Sequence, residues 1–299
     1  MKDLLFVYNP NSGQRAINDK LSWIIEYLSS KGILANVYAT QKSGDCREII
    51  EEIGGNYEHI LVSGGDGTLD EAISGALKAD IDPIFSYLPT GSTNDFSKSI
   101  NIAEDIEKAT KTALRGREKK IDIGRIEDKY FVYVAAFGAL SDISFSTDQD
   151  MKNFLGRSAY IIEGIKKALP IQNIASYHAK ILCDGELVSG DFIHFMVTNS
   201  ISVGGFTGLV GDNVSLEDGI FEVTMIRKPK NLTDINKIIQ ALTNNEENEM
   251  LIQKQARKIE IETDQPVAWS LDGEFGGEST TCVIDVVKQR IRIKTGLKD

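Results

Sequence analysis

Three glycine-rich segments carry the residue types that hold phosphate. They are Asn9-Pro10-Asn11-Ser12-Gly13, Ser63-Gly64-Gly65-Asp66-Gly67-Thr68 and Pro89-Thr90-Gly91-Ser92-Thr93-Asn94-Asp95. Glycine lets backbone N–H groups approach an anion closely, and a helix starting after the turn adds a favourable dipole. Ser12, Thr68, Ser92 and Thr93 can add hydroxyl donors. Taken singly, each segment also reads as an ordinary turn. Together, each after an apolar run, they point to phosphate, and three such turns at one sheet edge could enclose a triphosphate. Two familiar signatures are missing. There is no G-x-x-x-x-G-K-[ST] run, and the Gly65-x-Gly67 pair lacks a third glycine because position 70 is Asp70.

Phosphoryl transfer to an alcohol needs positioning, charge neutralisation and a carboxylate near the hydroxyl that loses its proton. Aspartate and water oxygens also suit Mg²⁺. Asp272 stands where the run Val267 to Leu271 enters a glycine-rich turn, Asp218 precedes Gly219, and Asp122 lies between Ile121 and Ile123. On sequence alone, the first two read equally as hairpin aspartates and the third as a solvated strand-end carboxylate. Metal sites of other kinds are disfavoured. Cys46, Cys183 and Cys282 are far apart with no C-x-x-C pair, and His59, His178 and His194 are scattered. That excludes a disulfide framework or a structural zinc site and points to a reducing, cytoplasmic setting.

The elements that must position these residues change character along the chain. Short apolar runs at Leu4–Tyr8, Leu34–Ala39, Ile60–Val62 and Ile84–Leu88 predict strands. Leu21, Ile24, Ile25 and Leu28, then Ile49, Ile50 and Ile53, recur at helical spacing. This alternation predicts an α/β domain with a mainly parallel sheet covered on both faces, whose ligands sit at the carboxyl ends of strands. From about Ile121 onward, strand-like runs at Tyr130–Ala136, Tyr177–Leu182, Phe192–Thr198, Phe221–Ile226, Ile259–Glu262 and Val267–Leu271 are punctuated by Asp-Gly and Gly-Gly. They predict a mostly antiparallel β-rich domain, with helices at roughly Met151–Leu169 and Leu232–Leu242 and a hairpin at Asp184-Gly185. The expected domains are 1–125 and 126–289. The last run, Arg290 to Lys294, could return to the first.

A chain of 299 residues suits about two domains. With 33 Lys and Arg against 44 Asp and Glu, the net charge is −11, which argues against a nucleic-acid partner. The N-terminal apolar run is too short for a signal peptide, and no apolar run reaches about 18 residues. Any encounter with lipid is therefore expected from the water side.

The motifs together resemble the diacylglycerol kinase catalytic-domain family, which also includes sphingosine and ceramide kinases. The resemblance rests on Asn9-Pro10-x-Ser12-Gly13, Gly64-Gly65-Asp66-Gly67-Thr68 and Pro89-x-Gly91-x-x-Asn94-Asp95-Phe96. It extends through Ala135-Ala136-x-Gly138, Thr198-Asn199-Ser200, Leu216-Glu217-Asp218-Gly219-Ile220-Phe221 and Leu271-Asp272-Gly273-Glu274-Phe275-Gly276-Gly277. The last two are similar to the soluble kinases of Gram-positive bacteria. The resemblance implies a β-sandwich-like lipid domain beside the ATP domain, with the active site in the cleft between them. It implies ATP contacts at Asn9, Pro10, Asn11, Ser12, Gly13, Thr40, Gly65, Asp66, Gly67, Thr68, Leu69, Asp70, Glu71 and Ser92. Asp272 would be the base, and Asp66, Asp95 and Asp122 would join a carboxylate–water–Mg²⁺ network. A structural Mg²⁺ would use Asp218 with the carbonyls of Ser215 and Ile220.

The implied activity is ATP- and Mg²⁺-dependent phosphorylation of a lipid hydroxyl, diacylglycerol to phosphatidic acid, by a cytoplasmic protein that meets the membrane transiently. A polyprenol, a sphingoid base, phosphatidylglycerol or NAD as acceptor stays open. So do a silent lipid- or nucleotide-binding regulator and a homodimer. Four positions depart from the family: Asp70 replaces an Asn beside the expected phosphates, Ser92 replaces Thr, and Tyr133 and Phe137 stand where Asn and a small residue are common. The latter two are expected to reshape the lipid side. Basic clusters at Arg115–Lys120, Lys166-Lys167, Arg227–Lys230 and Lys288–Lys294 read either as lipid-headgroup contacts or as solvated surface.

Overall fold

The computed structural model describes residues 2–13, 16–138, 174–203, 210, 214–244 and 247–296. The helix expected at Met151–Leu169, with Lys166 and Lys167, lies outside them. The chain forms two compact units, residues 1–122 with 288–299, and residues 123–287.

The first unit alternates strand and helix: β1 (Lys2–Tyr8), α1 (Ala16–Ser30), β2 (Ile33–Ala39), α2 (Asp45–Ile53), β3 (His59–Gly64), α3 (Asp66–Lys78), β4 (Ile84–Pro89), α4 (Asp95–Ser99) and α5 (Ile106–Arg115). Strands β2, β1, β3 and β4 lie side by side, all parallel. Leu4, Leu5, Phe6, Val7, Ile60, Leu61 and Val62 are all buried, as strands covered on both faces require. Ile17, Ile24 and Leu28 present one buried stripe of α1, and Leu69, Ala72, Ile73 and Ala76 one of α3. Asp105 caps α5, accepting from the Lys108 amide at 2.8 Å. Parallel order sends every strand's carboxyl end, and so every glycine turn, to one edge.

The second unit is antiparallel. After β5 (Arg117–Ile126), which enters it, come β6 (Lys129–Phe131), β7 (Val134–Gly138), β8 (Tyr177–Cys183), β9 (Glu186–Thr198), β10 (Phe221–Arg227), α6 (Leu232–Asn244), β11 (Leu251–Ala256), β12 (Lys258–Leu271) and β13 (Glu274–Thr295). The long strands β9 and β12 each pair with β8 over one part and β7 over another, so the four close on themselves. Alternation divides the core. Ala135 and Phe137 enter an aromatic cluster with Phe195 and Trp269, while Val134 and Ala136 pack with Met196, Ile235 and Ile238 of α6. Phe137 stacks on Phe195 with ring centroids 5.2 Å apart and is fully buried, so its bulk serves this core.

Two elements differ from the sequence expectation. The Tyr130–Ala136 run is broken into β6 and β7 at Val132-Tyr133. The Ile259–Glu262 and Val267–Leu271 runs are one strand, β12, whose register with β13 shifts between them. The Arg290–Lys294 run lies in the part of β13 belonging to the first unit, where Arg292 and Ile293 pair with β4 in parallel. Arg290 and Arg292 form ion pairs with Asp80 and Glu118. Among the described residues, no helix is long and apolar enough to cross a membrane.

His194 of β9 is wholly buried, its Nδ1 has no hydrogen-bond partner, and burial pushes its pKa down to about 4 despite a bond to the Phe137 backbone. The folded state thus refuses a proton that the unfolded chain accepts below about pH 6.5. Stability should be lost as pH falls from 6.5 through 4, by roughly 3 kcal/mol from this residue alone. Urea unfolding of the wild type and His194→Gln at several pH values should show the variant losing less stability over that interval.

Candidate active site

The three glycine turns interlock at the carboxyl ends of β1, β3 and β4. The Asn9 amide donates to the Ser63 carbonyl at 2.8 Å, and the amides of Thr90 and Gly91 both donate to the Gly64 carbonyl, at 2.8 and 3.1 Å. Gly13 adopts a positive φ of 54°, and a Cβ there would lie 2.4 Å from the Thr90 carbonyl oxygen. A Cβ on Gly91 would lie 2.5 Å from the Gly65 Cα. Both glycines are therefore required for backbone to pack against backbone. Gly67 is different. A Cβ there would have nothing within 4 Å, so this glycine borders open space at the first turn of α3. The Thr68 and Leu69 amides donate to the Gly65 carbonyl, so α3 starts directly from this turn. Open space against a helix start, with the hydroxyls of Thr68 and Ser92 in the flanking turns, fits a phosphate chain. The first turn is closed on itself: the Asn11 amide donates to Asn9 Oδ1 and the Ser12 amide to the Asn9 carbonyl. Pro10 is half-buried between them, and Thr40, the residue after β2, is buried with its amide on the Tyr8 carbonyl at 2.9 Å.

Not every residue expected at the nucleotide presents its side chain there. Leu69 is 1% exposed and packs in the core. Glu71 reaches across to α2, where its two oxygens accept the amides of Gly44 and Cys46 at 2.8 and 3.2 Å. It caps that helix and carries negative charge to its positive end. Asp70 is half-buried on α3; burial raises the Cys46 thiol well above its ordinary range, and the Asp70 charge adds to that.

The aspartates expected at a metal are held mostly by main-chain amides. Asp66 accepts from the amides of Asp95 at 2.8 Å and Phe96 at 3.3 Å, so it caps α4 from a distance of 29 residues in sequence. Asp95 is 2% exposed and lies 3.3 Å from the Lys98 ammonium. Asp122, fully buried at the end of the first unit's stretch of β5, accepts the Gln289 amide at 2.7 Å. Among the described residues, no three His, Cys, Asp or Glu side chains converge tightly enough to hold a metal ion by themselves. Asp218 is exposed, and one of its oxygens accepts the Ile220 amide at 3.0 Å. The donor set implied for a structural Mg²⁺, Asp218 with the carbonyls of Ser215 and Ile220, would be all oxygen, of the kind Mg²⁺ accepts.

Asp272 takes the hairpin position that its Asp-Gly pair predicts. With φ of 49° at Asp272 and 93° at Gly273, the pair makes the tight turn between β12 and β13. Its carboxylate, 4% exposed, folds back on the break between β6 and β7. Val132 donates to Oδ2 at 2.5 Å, and Tyr133 and Val134 donate to Oδ1 at 3.0 and 2.8 Å. Those amides have left the strand ladder to meet it, which is why the expected strand breaks there. The Tyr133 carbonyl in turn accepts the Thr198 hydroxyl at 2.6 Å and the Asn199 amide at 2.9 Å. Thus the Thr198-Asn199 pair supports the same segment. Sequence reasoning missed this role because backbone donors carry no residue signature. It also missed Asn94 as a turn-builder. In the left-handed conformation, Asn94 exchanges two hydrogen bonds of 2.9 Å with Gly91, a place its pairing with a glycine three residues earlier could have suggested.

Comparison with known proteins agrees with this geometry. The family model of the diacylglycerol kinase catalytic domain matches residues 3–126. A diacylglycerol kinase from Staphylococcus carnosus (strain TM300) is 30% identical over 292 residues, covering 97% of this chain and 94% of that protein. One from Bacillus subtilis (strain 168) is 31% identical over 280 residues, covering 93% and 91%. A crystal structure from Bacillus anthracis str. Sterne matches with a TM-score of 0.85 at 24% identity, over 99% of this chain and 95% of that one. Another from the same organism, described as a diacylglycerol kinase, matches with a TM-score of 0.77 at 20% identity, over 99% and 97%. These two show a shared fold. The sequence matches place the chain among phosphotransferases with an alcohol group as acceptor. It belongs to the diacylglycerol kinase family.

Two stability measurements follow. Gly91→Ala should lower the melting temperature markedly, because its Cβ meets main chain at 2.5 Å, whereas Gly67→Ala should leave it within a few degrees. Asp272→Asn keeps one acceptor oxygen, so an NH₂ group must face at least one of the three amide donors. Chemical denaturation should show a loss of about 1–3 kcal/mol, the cost of a buried donor left unpaired.

Proposed function

We propose that the protein transfers the γ-phosphoryl group of ATP to the hydroxyl of a membrane lipid, with diacylglycerol as the acceptor. The observation that carries this reading is the interlocking of three glycine turns around open space at the start of α3. Turn amides and the hydroxyls of Ser12, Thr68 and Ser92 bind and orient the triphosphate, and Gly65 and Gly67 keep side chains out of its way. Asp66, Asp95 and Asp122 face the Mg²⁺ side through water. Bound Mg²⁺ neutralises phosphate charge. Asp218, with the Ser215 and Ile220 carbonyls, holds a second, structural cation.

Asp272 accepts the proton of the lipid hydroxyl as the new P–O bond forms. Three amides occupy part of its acceptor capacity and fix its direction. The same three bonds favour a second reading of this residue, as the organiser of the Val132–Val134 segment with no proton to move. The protein reaches its lipid at the membrane surface.

The test is transfer of label from [γ-³²P]ATP into mixed micelles of diacylglycerol, other lipid alcohols and phosphatidylglycerol, with NAD and free sugars alongside. Label should enter diacylglycerol and depend on Mg²⁺. Label found only in NAD or a sugar would sink the lipid assignment, and no transfer from a protein that binds ATP would favour a silent regulator. Gly67→Ala, expected to fold normally, should bind ATP at least tenfold more weakly, since its Cβ enters the space assigned to phosphate; calorimetry with ATP checks this.

A further inference from the structure

Tyr87 sits on β4, two residues before the third glycine turn, where the apolar strand pattern gives no reason for a hydroxyl. Its side chain is almost wholly buried, on a strand position paired with Val62 of β3. The phenol oxygen lies 3.2 Å from the Gly64 carbonyl, 3.4 Å from Asp66 Oδ1 and 3.3 Å from Asn94 Oδ1. All three neighbours are acceptors, and a phenol has one proton, so it donates to one at a time. Burial, followed by the charge of Asp66, pushes its pKa well above the ordinary 10, so it stays a neutral donor.

None of the three acceptors depends on that proton. The Gly64 carbonyl already accepts the Thr90 and Gly91 amides, Asn94 Oδ1 accepts the Gly91 amide, and Asp66 accepts the amides of Asp95 and Phe96. A phenylalanine would fill the same space without a polar atom to bury. Stability alone therefore gives the hydroxyl no purpose. Its position does, because it is the point where the end of β3, the first residue of α3 and the Gly91–Asn94 turn meet.

We infer that Tyr87 is a positioning residue of the nucleotide site, joining the second and third glycine turns and steering the Asp66 carboxylate. The inference rests on the nucleotide reading proposed above. Its single proton can pass between Asp66, Gly64 and Asn94 with each of them still hydrogen-bonded. Asp66 can then turn toward a cation or back toward the turn without a buried group being stranded.

Tyr87→Phe in the full chain, titrated with ATP in a calorimeter over a range of Mg²⁺ concentrations, tests this. The expected result is a melting temperature within a few degrees of the wild type, ATP binding weakened about three- to tenfold, and a higher Mg²⁺ concentration for half-maximal binding. The same substitution in an Asp66→Asn background should add little, because Tyr87 acts through Asp66. Unchanged ATP affinity and Mg²⁺ dependence in folded Tyr87→Phe would overturn the inference, as would an equal loss with and without the Asp66 carboxylate. A wild-type protein that binds no ATP would remove the nucleotide reading and this inference with it. Normal wild-type binding with an unaffected variant removes the inference alone.

Discussion

The first unit depends on main chain touching main chain where side chains normally intervene. Gly13 against Thr90, and Gly91 against Gly65, bring three turns from three strands closer than any Cβ would allow. Packing of this kind carries no hydrophobic driving force of its own. It is possible because the parallel sheet has already delivered the three strand ends to one edge, and because the Gly64 and Ser63 carbonyls receive amides from the neighbouring turns. The cost is conformational, since glycine loses more freedom on folding than any other residue. The β1–β3–β4 core, with Phe6, Val7, Leu61, Val62, Phe85 and Leu88 buried, offsets it.

A second theme is how an acidic chain compensates its carboxylates. Asp66, Glu71, Asp122, Asp184 and Asp272 all accept main-chain amides. Main-chain amides are fixed in place by the fold, so they compensate a carboxylate without ordering a long cationic side chain. All five join elements far apart in sequence: Asp66 to α4, Glu71 to α2, Asp122 to the Gln289 amide of β13, Asp272 to the β6–β7 break, and Asp184 to the amides of Arg257 and Lys258 at the start of β12. Such bonds are directional and few, which makes each residue hard to replace. Arginine and lysine partners appear mainly outside, as in the exposed pair of Arg125 and Asp285.

Much of this was legible in the sequence. The spacing of Ile24 and Leu28, and the apolar runs ending at Tyr8, Gly64 and Pro89, give the βα alternation because local periodicity reports burial. Asp184-Gly185 and Asp272-Gly273 give hairpins because few residues tolerate positive φ. What stayed hidden is long-range. The break at Val132-Tyr133 is made by a carboxylate 140 residues away. Glu71 reads as part of a phosphate motif because its partners, the amides of Gly44 and Cys46, have no identity in sequence. Tyr87 reads as one more apolar strand residue. The continuity of β12 through Pro266 was hidden too, because a proline beside Asp264 and Gln265 ordinarily ends a strand.

The first unit is also discontinuous, and synthesis order gives that a consequence. Residues 1–122 emerge first, but Arg292 and Ile293, which cover the edge of β4, follow only after all of residues 123–287 have been made. During that interval β4 offers unpaired amides and carbonyls along a buried-type strand, the kind of edge that recruits other chains. The second unit, contiguous in sequence, meets no such delay. A nascent chain therefore passes through a stage in which its second unit can be finished while its first still waits for its closing strand. Shortening the chain by even its last ten residues would make that vulnerable stage permanent.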